Sequence, residues 1–495
     1  MNALLVYPRC PDVFWNLKHI MRFMSRKALL PPLGLLTVAA MLPDSWNLKV
    51  VDMAVTKLTD EDIGWADMVF ISGMYVQGRS VREVIDRCKE LGAVTVGGGP
   101  LFTVEAESFN DVDHLILGEA EITLEMFLAD LAGDGPKHVY SSTEFANIKK
   151  TPPPRWDLID VNNYVCMGVQ YSRGCPFGCD FCEVTKLFGH RMRLKSASQL
   201  IAEFENLYKA GWIGSVFVVD DNFIGNKAVV KSEILPAMTE WMKQRDYPFY
   251  LNTQVSINIA DDEELMSMMS QAGFEKVFIG IESTDDQSLQ ECSKVQNANR
   301  DMVGCVKKIQ SFGLEVQGGF IVGFDSDKAS VFEDMINFIQ SSGILTAMVG
   351  LLAAPKGTEL YNRLASENRL LETSFCEDDE YKVSFVTKMD AEDLETGYKH
   401  VLSTIYSPQL YYQRMMTMLK NYKLRKKKIR IRLIALEALC KSIWLIGICG
   451  KNRRYFWMPL LYAMFRRPQL LHVTIFASMC GFHYRKIFEE LHAKN

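Results

Sequence analysis

Short apolar runs alternate with amphipathic helical patterns twice along this chain of 495 residues, and this alternation narrows the folds open to it. In the first part the pattern predicts strands at residues 3–7, 48–52, 68–72, 94–96 and 114–117, with helices at 34–42, 80–91 and 121–131. Strands that are apolar on both faces are typical of parallel sheets covered by helices on each side. We therefore expect a doubly wound, Rossmann-like α/β domain over residues 1–135.

A second run of alternation follows a linker predicted at residues 136–166, which contains three consecutive prolines. Six strands are predicted at 167–171, 215–219, 249–254, 277–281, 316–322 and 347–352, each followed by a helical or loop segment. Eight such units would close a barrel, so six predict a partial, open (β/α)6 barrel over residues 167–360. A helical extension is expected at 361–420 and a basic helical tail at 421–495.

Three of the 12 cysteines cluster in one stretch, Cys175-x3-Cys179-x2-Cys182, directly after the first strand of the predicted barrel. Thiolates are soft ligands that suit zinc or iron–sulfur clusters. Three cysteines would leave one iron of a four-iron cluster open, whereas a structural zinc site needs four ligands, for which His190 is a candidate. The residues alone leave the cluster, zinc and unligated thiols open.

Other candidate residues stand where predicted strands end, which is the edge at which parallel sheets bind ligands. Glycine, serine and acidic residues also favour turns and helix caps, so each position alone has a structural explanation. In the barrel their recurrence on one face favours a binding site. The first-domain candidates are Ser72, Gly98, Gly99, Gly118 and Glu119, and the barrel candidates are Asp220, Asp221, Asn222, Glu282, Gly319 and Gly323.

The charge of the chain is unevenly distributed. The whole chain has a net charge of −5, yet residues 421–495 hold 16 Lys or Arg and only three acidic residues, with a basic run at 423–432. Next to amphipathic aromatic segments, this pattern favours attachment to an anionic membrane surface. A solvated helical tail stays open as an alternative, and nucleic acid is not expected because no base-reading motif accompanies the charge.

Composition places the protein in a reducing compartment, since the cysteines are too sparse for a disulfide framework. The first residues predict a strand rather than a signal peptide. We expect a cytoplasmic protein, peripheral on the cytoplasmic face of the inner membrane if the basic tail binds lipid.

The cysteine motif, with an aromatic residue before its last cysteine, resembles the signature of the radical S-adenosylmethionine (SAM) enzymes. That resemblance implies that Cys175, Cys179 and Cys182 hold a [4Fe-4S] cluster whose open iron chelates SAM and cleaves it to a 5′-deoxyadenosyl radical. The segments at 280–283 and 319–323 are similar to later barrel motifs that line the SAM site. Glu282 is thereby implied to contact the ribose or amino group of SAM, and Asp220 or Asp221 to polarise it.

The first domain, with its glycine motif at 97–100 and its Gly-Glu-Ala-Glu motif at 118–121, resembles the cobalamin-binding branch of that family. Segments 168–175 and 220–226 look most like the hopanoid C-2 methylase group. The resemblance implies transfer of a methyl group from methylcobalamin to an unactivated carbon of a hopanoid-like or other lipid, with a reductant such as ferredoxin or flavodoxin. One departure is that His19 and His114 lie outside any Asp-x-His-x-x-Gly motif, so no histidine is expected below the cobalt.

Alternative reactions and roles remain open from the sequence. A cobalamin-dependent cyclase, oxidase or carbon–carbon coupling enzyme would use the same cofactors. A methylthiotransferase needs a second set of three cysteines, and the first domain offers only Cys10 and Cys88. The non-enzymatic alternatives are a cobalamin-binding sensor and a zinc-stabilised scaffold.

Overall fold

The first sheet has six parallel strands, and the alternating pattern predicts five of them. The computed structural model describes residues 1–14, 16–371, 383–423 and 433–492. The strands pair in the order β2-β1-β3-β4-β5-β6. They are β1 (Asn2–Tyr7), β2 (Asn47–Asp52), β3 (Met68–Ser72), β4 (Val94–Gly98), β5 (His114–Ile116) and β6 (Val139–Tyr140).

Helices cover both faces of this sheet. On β1, Leu4 and Val6 pack into one hydrophobic core, while Ala3 and Leu5 pack into another on the opposite face. Burial on both faces explains why β1 is apolar almost throughout, and it confirms the doubly wound fold. The helices of this part of the chain are α1 (Met21–Met24), which packs away from the sheet, α2 (Leu33–Ala39), α3 (Asp60–Trp65), α4 (Gly78–Glu90), α5 (Pro100–Val104) and α6 (Ala120–Ala132).

The residues predicted as a linker pack against the first domain. Strand β6 lies within them, and its two residues are too few to show a periodic pattern. Trp156 and Tyr164 are buried, and the Tyr164 hydroxyl donates a hydrogen bond to Asp52 Oδ2 at 3.0 Å. The segment therefore joins the two domains as a packed connection.

The second sheet also has six parallel strands, in the order β14-β13-β12-β11-β10-β7. Its outer strands, β7 and β14, do not pair with each other in the described part of the chain, so the partial barrel is confirmed. The strands are β7 (Cys166–Val169), β10 (Gly214–Val218), β11 (Phe249–Gln254), β12 (Phe274–Glu282), β13 (Glu315–Val322) and β14 (Ala347–Leu351). A small antiparallel pair, β8 (Ser172–Arg173) and β9 (Arg193–Leu194), brackets the cysteine segment.

Helices line the outer face of this barrel, because their apolar sides pack on its strands. The helix that begins at Lys227 continues through a π-helical turn, Val230–Ile234. Not every helix of this part of the chain lies on that face, since α7 has no buried residue and α15 packs into a separate cluster. The helices are α7 (Val184–Phe188), α8 (Ala197–Lys209), α9 (Lys227–Val229), α10 (Leu235–Gln244), α11 (Glu263–Ala272), α12 (Asp286–Glu291), α13 (Met302–Ser311), α14 (Val331–Ser342) and α15 (Glu359–Ser366).

The C-terminal helices pack on the barrel and on the N-terminal segment. Arg414 is fully buried and donates hydrogen bonds to Gln340 Oε1 at 2.6 Å and to the Ile405 carbonyl at 2.9 Å. The ring of Tyr484 stacks on Phe14 with centroids 4.7 Å apart. The helices are α16 (Ala391–Ile405), α17 (Pro408–Asn421), α18 (Leu433–Ser442), α19 (Arg453–Arg466) and α20 (Leu471–His492), with a π-helical segment, Ile443–Ile448, after α18.

Two features bear on the predicted membrane attachment. Most of the basic run at 423–432 lies outside the described residues. Among the helices that the structure describes, none is both long and apolar enough to cross a bilayer.

Candidate functional site

The three clustered cysteines lie in the loop between β8 and α7, at the carboxyl end of β7. All three side chains are partly exposed, and none forms a disulfide. The turn into the loop needs Gly174, whose φ is +90° and where a Cβ would stand 2.9 Å from the Gly189 carbonyl oxygen. The loop is closed by a hydrogen bond from the Cys175 N–H to that same carbonyl at 3.3 Å.

The thiols share one electrostatic environment. Burial raises the pKa of Cys175 and Cys179 and raises the pKa of Cys182 to about 11, while the Lys294 ammonium group lowers all three pKa values. Bound iron would stabilise the thiolates further. In the part of the chain that the structure describes, no three His, Cys, Asp or Glu side chains gather closely enough for a single metal ion. A four-iron cluster is larger and takes each thiolate on a different iron, so this donor set fits it.

Lys294 is held beside the cysteine loop by the end of β12. Its Nζ lies 2.8 Å from Glu282 Oε1, and Glu282 adopts a left-handed backbone with φ of 65°. A Cβ on Gly280 would stand 2.9 Å from the same Nζ, so only glycine leaves room for the pair. Asn297 fixes the turn by donating hydrogen bonds to the carbonyls of Gly280 and Ile281, both at 2.9 Å.

The Asp-Asp-Asn segment after β10 forms hydrogen bonds to the residues that precede the cysteine loop. Asp220 is fully buried, and its carboxylate accepts hydrogen bonds from the Tyr171 N–H at 2.8 Å and the Ser172 hydroxyl at 2.5 Å. Burial raises the pKa of Asp220 to about 7 and that of Asp221 to about 6. Asp220 therefore holds the strand that leads into the cysteine loop.

Asn222 differs from its neighbours in having an unsatisfied atom. Its side chain is buried, and among the described atoms its Oδ1 has no hydrogen-bond partner. Its amide also contributes a hydrogen bond that lowers the pKa of the Cys175 thiol. A buried, unpaired carbonyl oxygen beside the first cysteine suits a polar group supplied by a ligand.

The candidate glycines in β13 and directly after it have structural reasons for their identity. A Cβ on Gly319 would stand 2.9 Å from the ring of Phe278 on the neighbouring strand. Gly323 has φ of +108°, and its N–H donates a hydrogen bond to Asp327 Oδ2 at 2.8 Å. A role for either glycine in binding SAM stays a prediction.

The candidate residues of the first domain meet at the carboxyl edge of its sheet. Gly99 has φ of +93°, and a Cβ there would lie 2.6 Å from Ser72 Oγ, while a Cβ on Gly98 would lie 3.2 Å from the Ile116 carbonyl oxygen. Gly118 also has a positive φ, of +78°. Glycines at 98 and 99 thus let the strand ends pack closely on each other, whereas a Cβ on Gly118 would meet nothing within 4 Å, so the backbone there is open to a large cofactor such as cobalamin.

Three apolar side chains that sequence reasoning did not select stand at the same edge. Met74, Tyr75 and Val76 follow β3 and are each about 45% exposed: 45%, 44% and 47% respectively. The buried Gln77 fixes this turn by accepting a hydrogen bond from the Met74 N–H at 2.8 Å. Exposed apolar groups at the binding edge of a parallel sheet suit the face of a large cofactor.

Glu119 joins this edge to the cysteine loop. Its Oε1 accepts a hydrogen bond from Arg173, the residue two before Cys175, at 2.8 Å, and its Oε2 accepts one from Arg193 at 2.7 Å. Glu121 accepts a second hydrogen bond from Arg173, at 2.7 Å. The four side chains, which we call the interdomain quartet, are at most 15% exposed.

The histidines singled out by the sequence lie in different places. His114 begins β5, at the sheet edge opposite the glycines, and His19 is buried beside His483. That no histidine ligates cobalt stays a prediction. His190 lies beside the cysteine loop, its Cε1 3.7 Å from the place of a Cβ on Gly178, but it does not gather with the described cysteines into a site for a single metal ion.

Comparison with known proteins decides the family. Family models match a B12 binding domain at residues 23–128, the Radical SAM superfamily at 169–339 and a domain of unknown function, DUF4070, at 358–495. A hopanoid C-2 methylase of Rhodopseudomonas palustris is 31% identical over 94% of this chain and 90% of its own length. The chain belongs to the B12-binding radical SAM methyltransferases. An uncharacterized methyltransferase of Synechocystis sp. is 37% identical to this radical SAM enzyme, over 99% of this chain and 93% of the relative's own length.

Solved structures share the fold of this B12-binding radical SAM methyltransferase. The cobalamin-dependent SAM radical enzyme OxsB, with aqua-cobalamin and SAM bound, has a TM-score of 0.64 at 16% identity and covers 99% of this chain and 84% of its own. The methyltransferase TsrM of Kitasatospora setae, with cobalamin and a [4Fe-4S] cluster bound, has a TM-score of 0.61 at 14% identity. It covers 92% of this chain and 99% of its own. The two matched domains imply SAM, an iron–sulfur cluster and cobalamin as cofactors.

Proposed function

We propose that this enzyme transfers a methyl group to an unactivated carbon of a lipid, with a hopanoid or a similar polycyclic triterpenoid as the substrate class. The observation that carries the proposal is the interdomain quartet, because it fixes the glycine edge of the B12-binding domain against the cysteine loop of the barrel. A methyl carrier and a radical source must face the same substrate for such a transfer. The substrate class is supported by the relative whose name is hopanoid C-2 methylase.

The residues of this chain would bind and orient the cofactors, which supply the chemistry. Cys175, Cys179 and Cys182 would ligate three irons of the cluster, while Lys294 would balance the negative charge of the thiolates. When bound, the cluster, SAM and cobalamin together supply the electron, the radical and the methyl group. We assign the carboxyl edge of the first sheet, at Gly98, Gly99 and Gly118, to cobalamin, and the end of β12 at Glu282 to SAM.

The cluster assignment is tested by replacing each of the three cysteines with Ala. Each variant should lose the iron–sulfur absorbance after anaerobic reconstitution and should no longer cleave SAM, because each thiolate holds a separate iron. Cys305→Ala is the matched control, since Cys305 is also partly exposed but lies on α13. A cysteine-loop variant with full iron content and SAM cleavage would contradict the assignment, and zinc in place of iron would favour the scaffold.

The reaction is tested by comparing the lipids of cells with and without the protein by mass spectrometry. Methylation predicts a lipid heavier by one CH2 group that is present only with the protein. A product of equal or lower mass, formed with consumption of SAM, would instead favour cyclisation or oxidation. No change in any lipid, together with a modified water-soluble metabolite, would refute the substrate class.

We further propose a cytoplasmic location, peripheral on the inner membrane, with ferredoxin or flavodoxin as the reductant. A small soluble electron carrier and a membrane lipid are both accessible at that surface. Supplying either purified reductant in place of dithionite should support SAM cleavage by the reconstituted enzyme.

A further inference from the structure

An exposed apolar face runs along α18, the π-helical segment after it and α19. Large apolar residues that are normally buried are open to solvent here, with Trp444 60% and Phe465 75% exposed. We call this set the C-terminal apolar face. Its members are Leu436, Trp444, Ile448, Met458, Leu461, Met464 and Phe465.

Helical spacing places most of these residues in two stripes. Leu436, Trp444 and Ile448 are separated by multiples of four, and Cys440, which is also exposed, fills the gap in that series. On α19, the exposed residues at 454, 458, 461 and 465 follow one another at intervals of four, three and four. Such intervals place side chains on one side of a helix.

The two stripes border the same cleft and so form one surface. Ile448 of the first stripe and Arg454 of the second line a shallow cleft of about 450 Å³, together with Gly447, Arg453 and Trp457. The Trp457 indole N–H donates a hydrogen bond to the Gly447 carbonyl at 3.0 Å, which fixes α19 against the π-helical segment. The apolar face therefore borders a cleft that carries two arginines.

Beyond Glu437, which forms an ion pair with Lys441 on α18, the charged residues of this region are all basic. The chain has no Asp or Glu between Glu437 and Glu489. Arg453 and Arg454 at the cleft are both exposed. The basic residues of the interval are Lys441, Lys451, Arg453, Arg454, Arg466, Arg467, Arg485 and Lys486.

We propose that the C-terminal apolar face docks on the surface of an anionic lipid bilayer. Aromatic and aliphatic side chains beside arginines match the boundary between acyl chains and phosphate headgroups. A second copy of this chain is disfavoured as the occupant, because symmetric pairing would place its arginines close to the same arginines of the partner. The proposed docking rests on the peripheral location proposed above, and it names the surface of the protein that would contact the membrane.

The test is co-sedimentation of the full chain with vesicles of phosphatidylcholine, with and without phosphatidylglycerol. The wild type should bind the anionic vesicles, and the double variant Trp444→Ser/Phe465→Ser should bind at least about tenfold more weakly, since each change removes a large inserted apolar group. Both residues are exposed, so the fold should be unaffected. Met126→Ser, at a residue that is 43% exposed on α6 of the first domain, is the matched control and should bind like the wild type.

The arginines are tested separately with Arg453→Gln/Arg454→Gln, which should reduce the preference for anionic vesicles and its sensitivity to salt. The proposal is overturned if the wild type does not bind anionic vesicles, or if the Trp444/Phe465 double variant binds as well as the control. It is also overturned if the wild type is a dimer that this variant converts to a monomer. None of these measurements needs a bound cofactor, so their failure would leave the proposed methyl transfer standing.

Discussion

The interdomain quartet allows a quantitative prediction for Glu119→Gln. Glu119 is 4% exposed and contacts two guanidinium groups. Two opposite charges about 4 Å apart attract each other by about 4 kcal/mol at an effective dielectric constant of about 20. Arg173 keeps Glu121 as a partner, whereas Arg193 keeps the carbonyls of Ala146 and Phe188 and the ring of Phe145 but no carboxylate among the described residues. Removing one partner of a buried ion pair costs about 3–5 kcal/mol, so the open form of the domain interface should become at least about a hundredfold more populated.

Hydrogen–deuterium exchange measures this opening directly. Peptides that contain residues 115–122 and 170–176 should exchange about a hundredfold faster in Glu119→Gln than in the wild type. Glu105→Gln is the matched control, because Glu105 pairs across the same interface with Lys356, which is 45% exposed, and such pairs contribute about 0–1 kcal/mol. The reasoning is refuted if the two variants exchange at similar rates.

Two further predictions concern the barrel. Gly280→Ala should displace Lys294 from Glu282 at a cost of about 1–3 kcal/mol, so a chelator should remove iron from the reconstituted protein about tenfold faster. Gly350→Ala is the control and should behave like the wild type, because a Cβ there meets nothing within 4 Å. The second prediction concerns Asp220, which keeps a proton in the folded chain that the unfolded chain releases above pH 3.8. The free energy of unfolding should therefore fall as pH rises from about 4 to 7. Asp220→Asn should remove part of that fall, as measured by urea titrations. Unchanged iron release in the first variant, or an unchanged pH slope in the second, would contradict these accounts.

Much of the fold could be predicted because its strands are buried on both faces. Such strands give continuous apolar runs, and the strand predicted at 249–254 agrees with β11 at both ends. The two-residue strand β6 is too short for any period to show. The packing of α20 on Phe14 also escaped prediction, because it joins residues more than 460 positions apart.

In the candidate site too, local sequence patterns could be predicted and long-range contacts could not. Cysteine spacing is a local pattern, so the loop at Cys175 was accessible from sequence. Lys294 and Arg193 were not, since a single basic residue has no spacing to mark it, and only tertiary packing brings it to the loop. Glu119 was selected as a cofactor contact for its position after β5, yet its carboxylate contacts two arginines of the barrel. Local sequence marks the binding edge but does not show which side chains hold that edge in place.

The contact between α20 and the N-terminal segment has a consequence for biosynthesis. His483 Nε2 lies 2.9 Å from the Phe14 carbonyl oxygen, and Phe14 itself is buried against Tyr406 and Tyr484. During translation, the residues around Phe14 emerge from the ribosome long before the helix that covers them is made. Tyr484 can therefore cover Phe14 only after α20 has been made, and until then the nascent chain leaves this face of Phe14 uncovered.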